Sequence, residues 1–229
     1  MDKNIILPNS KERALGWQYF LFQVVFLAWV IGHVLSFLRL PISRAGINLV
    51  YFSLNFAVAI LGFLRFWQET FSGILRSFPK ILGFTFLGFA VFRMLSVAMG
   101  LLILSIDPEF TNVNDQSIAE LSREDFWAMA LGTVVLAPVA EEVFNRGCIF
   151  GGLLSRSKAA AYLVSTVIFS IIHINGYIGA VPPLTLFLCF LQYLPAGLCL
   201  AAAYHFSGSI LTPILIHSAV NAIGILVMR

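Results

Sequence analysis

The sequence predicts an all-α protein, a polytopic transmembrane bundle of about seven or eight helices with a polar site inside the membrane. Three observations lead there. Of 229 residues, 59% are hydrophobic and 11% charged, where a soluble domain carries about a quarter charged. The mean hydropathy is +0.92, and the apolar residues fall in long blocks instead of alternating. Several ionisable residues nevertheless sit inside those blocks.

The first block, about 17–38, follows a mixed-charge start in which Lys3, Lys11 and Arg13 stand against Asp2 and Glu12. It has no small-residue cleavage site, so it reads as a retained first helix and not a removable signal peptide. Blocks at 46–66, 80–105, 126–153, 159–174, 184–205 and 209–228 follow. Each approaches the roughly 20 residues needed to cross the hydrocarbon core, 159–174 being short. Seven crossings result, and splitting a long block gives an eighth. No internal repeat or low-complexity stretch divides the chain, so residues 1–229 read as a single integral membrane domain.

The net charge is +3, and no run of like charges points to a nucleic-acid partner. The basic residues serve better as topology signals. A cytoplasmic N-terminus puts Lys3, Lys11, Arg13, Arg65, Arg76, Lys80, Arg156 and Lys158 inside, against Arg39, Arg44, Arg123 and Arg229 outside. That balance favours this orientation in the cell (plasma) membrane, with Arg39 and Arg44 as exceptions. The connection from Asp107 to Asp125 carries six carboxylates and one basic residue, Arg123, and reads as an outside loop. Cys148, Cys189 and Cys199 lie in apolar segments without metal-like spacing and read as buried thiols.

Which ionisable groups cannot reach water is the informative question. Glu141 and Glu142 qualify, in Ala137-Pro-Val-Ala-Glu-Glu-Val-Phe-Asn-Arg146, and Arg93, Arg146, His173, His217 and the polar but uncharged Asn221 are the other intramembrane candidates. A charge at mid-bilayer costs at least about 2.5–3.5 kcal/mol, so such residues face a protein interior or a wet cavity. On a helix, Glu142 and Arg146 are four apart and can pair, while Glu141 is rotated about 100° away. Phe169 and His173 repeat that interval, as do His217 and Asn221. Counted from the same membrane side at ~1.5 Å per residue, Glu141, His173 and Asn221 fall at about 20, 22 and 18 Å. Three helices can therefore deliver polar groups to one level.

These motifs resemble those of the CAAX protease and bacteriocin-processing (ABI) family. Glu141-Glu142-Val-Phe-Asn-Arg146 is similar to its Glu-Glu-x-x-x-Arg motif, Phe169-Ser-Ile-Ile-His173 to Phe-x-x-x-His, and His217-Ser-Ala-Val-Asn221 to His-x-x-x-Asn/Asp. The resemblance covers about residues 126–225. It implies a CAAX-type intramembrane protease, a glutamate-dependent hydrolase acting on a membrane-associated peptide or lipidated protein, prenylated substrates included. Carried over, Glu141 and His173 activate water, His217 and Asn221 stabilise the oxyanion, and Glu142 and Arg146 support the site. Hydrolysis needs a water deprotonated as it attacks, and donors aimed at the developing oxyanion. No Ser or Cys nucleophile and no cofactor is needed.

Simpler readings stand beside these. Glu142 with Arg146 could be a helix-stapling ion pair, His173 a helix-end cap before Asn175-Gly176, and His217 with Asn221 interhelical contacts. His33 and His205 read as interfacial or packing residues, and Arg93 lacks a nameable partner. Gly147 and Gly151 form a small-xxx-small step that lets a helix pack closely. Ser207-Gly208-Ser209 invites a rhomboid-like serine-protease reading, but Gly-x-Ser-Gly is missing. Zinc held by Glu141, His173 and His217 is chemically conceivable, a metalloendopeptidase alternative without His-Glu-x-x-His. A non-catalytic immunity or regulatory protein of the same fold is the main competitor. A proton-relaying transporter is a third class, disfavoured by the absence of repeated halves.

Overall fold

In the computed structural model, which describes residues 5–228, the first helix begins where Asn9 caps it. The Asn9 side chain accepts from the backbone N–H of Lys11 and Glu12, and Glu12 returns a carboxylate oxygen to the Asn9 N–H at 2.9 Å. This reciprocal box satisfies orphan donors of the first turn. It starts α1 at Ser10–Phe37, seven residues before the apolar block at 17. Asp2, Lys3 and Arg229 lie outside the described residues.

The block at 46–66 is broken where Gly62 ends α2 (Arg44–Leu61) and buried Phe63 leaves helical geometry. The short α3 (Leu64–Ser72) follows, and Gly73 leads into α4 (Ile74–Ile106). The acidic connection is not a bare loop. Asn112 caps α5 (Val113–Glu124) by accepting from the N–H groups of Asn114 and Asp115. Then come α6 (Phe126–Leu154), α7 (Lys158–Ile172), α8 (Pro183–Ser207) and α9 (Leu211–Val227). Nine helices thus stand among the described residues; α3 and α5 account for the difference from seven crossings.

Five helices, α1, α2, α4, α6 and α8, are long and apolar enough to cross a membrane. The others in the apolar set, α7 and α9, have 15 and 17 residues, about 22 and 26 Å at ~1.5 Å per residue. Large apolar side chains such as Leu75, Phe86 and Met94 are over 70% exposed, a surface suited to lipid and not to water. In the most apolar window of α4, 11% of residues are buried, against 44% in α6 and α8. The peripheral α4 packs on α8 and α9, whereas α6 is wrapped by α1, α2, α7 and α9. Around α6 the core is aromatic: Phe144 and Phe150 join Phe63, Phe66 and Tyr204.

The two ends of the bundle are pinned separately. At one end Arg44 donates to Glu124 at 2.7 Å, which ties α2 to α5 and gives Arg44 a local partner that the charge count could not see. At the other, the Glu12 carboxylate accepts from the Phe66 N–H at 3.0 Å. The Ile6 N–H donates to Gly208 at 3.2 Å there, and the Tyr204 hydroxyl to the Ile6 carbonyl. Gly147 and Gly151 also behave otherwise than expected. A Cβ on them would stand 3.2 Å from Pro8 and 2.7 Å from Leu7, so the close neighbour is the N-terminal segment and not a second helix.

Candidate active site

Helix α6 carries the carboxylates, and its backbone is irregular around them. It has π-helical turns at Leu131–Leu136 and Val143–Phe150, flanking Ala137–Glu142. Pro138 supplies a reason for the first. Where the Ala137 N–H bonds back to Gly132, the corresponding partner of the Thr133 carbonyl is residue 138, which has no N–H. The Asn221 amide nitrogen fills that gap, donating to the Thr133 carbonyl at 2.8 Å. A helix break and a polar residue of α9 thus satisfy one another.

Glu142 and Arg146 are both fully buried, with Arg146 Nε 3.1 Å from Glu142 Oε2. Phe169 lies under the guanidinium, 4.6 Å from ring centre to Cζ. Nη1 is 3.4 Å from Ser165 Oγ, whose hydroxyl donates to Asn145 Oδ1. The second Glu142 oxygen takes a hydrogen bond from His217 Nδ1 at 2.9 Å. The pair therefore does more than staple a helix, because it links α6, α7 and α9.

Hydrogen bonding also fixes how the two imidazoles face Glu141. His173 Nδ1 is 2.8 Å from the Phe169 carbonyl, which only accepts, so Nδ1 carries a proton. Beside the Arg146-paired Glu142, His217 Nδ1 does the same. Nε2 of each ring is thereby turned away from these bonds and toward Glu141. These atoms lie 3.7 Å (His173) and 3.9 Å (His217) from Glu141 Oε2, which has no hydrogen-bond partner of its own. Three polar atoms this close suit a shared proton or an O–H donor between them. Among the described residues no group of three His, Cys, Asp or Glu side chains is placed to hold a metal ion.

Glu141, His173, His217 and Asn221 line one cavity of about 840 Å³. All four sequence-derived site residues are thereby brought together, with Glu142 and Arg146 directly behind them. Others were missed. Tyr193 of α8 stacks on His173, ring centres 4.4 Å apart, and its hydroxyl accepts from Asn114 of α5 at 3.0 Å. Ser165 precedes Phe169 and His173 on the same four-residue spacing, a signal that was present in the sequence. Asp115 and Arg93 line the cavity as well. Burial pushes the Asp115 carboxyl, at the start of α5, up to about 6.

The helices that build this site coincide with a family match. Residues 123–223 match the family model described as "Type II CAAX prenyl endopeptidase Rce1-like". This stretch of the chain is similar to an Rce1-like domain. It is also similar to UPF0177 protein YbdJ of Lactococcus lactis subsp. lactis (strain IL1403), 30% identical over 103 residues. That match takes in 45% of this chain and spans 40% of the relative's length. No solved structure matches the chain. The matched region runs from the start of α6 into α9, so α1, α2, α4 and α5 lie almost wholly outside it while still contributing walls of the cavity.

Proposed function

We propose that the chain is an intramembrane, glutamate-dependent endopeptidase that hydrolyses a peptide bond in a membrane-associated substrate. The carrying observation is the convergence of Glu141 Oε2 with the Nε2 atoms of His173 and His217 at 3.7 and 3.9 Å on one large cavity. Separations of that size suit a water held among the three groups. Glu141 takes its proton as the oxygen attacks the scissile carbonyl and then delivers that proton to the leaving amine, while His173 Nε2 orients the water. His217, when protonated at Nε2, faces the developing oxyanion, and the second amide hydrogen of Asn221 can join it. The Glu142–Arg146 pair holds His217 in place. No metal takes part in this scheme, so activity abolished by chelators and restored by zinc would overturn it.

Glu141 lies about 20 Å along α6 from Leu154 and about 22 Å from Phe126 at ~1.5 Å per residue. This supports catalysis at mid-membrane depth, and the distribution of Lys and Arg among the connections supports a cytoplasmic N-terminus. The Rce1-like match supports prenylated peptides as the substrate class. The test is cleavage of an S-farnesyl CAAX-type peptide by purified protein in nanodiscs. Glu141→Gln, nearly isosteric and removing no intramolecular hydrogen bond, is expected to lower kcat about 10²- to 10⁴-fold without loss of folding. Full activity in that variant would sink the assignment, and partner binding without any Glu141-dependent cleavage would favour a non-catalytic immunity or regulatory role.

A further inference from the structure

Arg93 is the one charged residue in α4 between Ile81 and Ile106. It lies about 18 Å along the helix from Ile81 and about 20 Å from Ile106, at the middle of the apolar stretch. A cation there faces a wet cavity or a partner. Among the described residues no carboxylate lies within ion-pair distance of Arg93, in contrast to Arg44, Arg65 and Arg146. It is exposed, and it lines the same cavity as Glu141 and His173. Among the residues lining that cavity it is the only Lys or Arg; the carboxylates there are Glu141 and Asp115. An unpaired guanidinium lining the same cavity as Glu141 and His173 has a fork of donors matched to a carboxylate.

We propose that Arg93 anchors a carboxylate of the bound peptide, either its C-terminal group or an Asp or Glu side chain, and so sets which bond reaches Glu141. The identification of the ligand as a peptide rests on the hydrolase reading. The site itself is a carboxylate subsite on the α4 wall, separate from the reacting groups on α6, α7 and α9. Arg93 is thus a binding residue and takes no part in proton transfer.

The test uses the full chain in nanodiscs and a dansyl-labelled S-farnesyl CAAX-type peptide in three forms: free acid, C-terminal amide, and free acid with its acidic side chains neutralised. Binding is measured by fluorescence in a Glu141→Gln background and cleavage in the otherwise native protein. Arg93→Gln is expected to weaken binding of the free acid about 10- to 100-fold and to raise KM with kcat nearly unchanged. Amide and side-chain-neutralised peptides show which carboxylate is read, because the form lacking it binds the native protein and Arg93→Gln equally. Arg93→Lys is expected to recover part of the loss, keeping charge without the fork. Equal weakening of all three forms, no weakening of any, or no binding of free-acid peptide by the native protein would overturn the proposal. Glu141-dependent cleavage that ignores the peptide's charge would remove the subsite and leave the hydrolase standing. Arg93-dependent binding without cleavage would do the reverse.

Discussion

Arg146→Met separates stability from chemistry at this site. Arg146 and Glu142 are fully buried with 3.1 Å between Nε and Oε2. At an effective dielectric near 20 their attraction is about 5 kcal/mol. Removing one partner strands the other, which typically costs about 3–5 kcal/mol. The variant also loses the Phe169 and Ser165 contacts of the guanidinium. Thermal unfolding in detergent, followed by tryptophan fluorescence, should therefore show a Tm lower by about 10 °C. The double variant Glu142→Gln/Arg146→Met removes the stranded charge, so it should regain much of that stability. It should not regain cleavage, because the ionised partner that orients His217 through Nδ1 is gone. A single variant as stable as the native protein, or a double variant that recovers activity along with stability, would refute the reasoning.

Tyr193 and Asp115 give two further tests. Tyr193→Leu removes the ring stacked on His173 and is expected to lower kcat/KM about 10-fold and shift its pH profile, whereas Tyr193→Phe keeps the stack and loses the hydroxyl's bonds to Asn114 and Asn112, about 1 kcal/mol of stability. A Leu variant with native kinetics would deny the ring a positioning role. Asp115 has its pKa pushed from 3.8 up to about 6 by burial. Between these values the folded protein binds more protons than the unfolded chain, so stability falls as pH rises through that window, by about 3 kcal/mol in all. Asp115→Asn should therefore raise Tm at pH 7.5 and leave it nearly unchanged at pH 4; equal effects at both pH values would count against a desolvated carboxyl.

What could be read without coordinates was local. Glu142 with Arg146, Phe169 with His173 and His217 with Asn221 each lie one helical turn apart, and helical spacing alone puts each pair on a face. Depth counting then brought the three faces to one level. The rest depended on tertiary neighbours. Tyr193 is twenty residues from His173, across a loop of unpredictable course. The acceptor of Asn221 is a backbone carbonyl, which leaves no mark in a side-chain pattern. Arg44 looked misplaced because its partner Glu124 is eighty positions away. Boundaries failed for ordinary reasons: a polar capping box extended α1 beyond its apolar block, and Gly62 interrupted an apolar run that hydropathy reads as continuous.

The segment at Ile6 to Pro8 has a bearing on how the protein matures. Its backbone is bonded to Gly208 and to the Tyr204 hydroxyl, the latter across 198 positions. The docking groove beside Gly147 and Gly151 is therefore incomplete until α8 and the turn after it have been synthesised and inserted. Residues made before α8 thus settle only once it is in place, acting as a latch over the finished hairpin. A bulky fusion placed directly ahead of Ile6 should hinder that closing step more than one appended beyond α9.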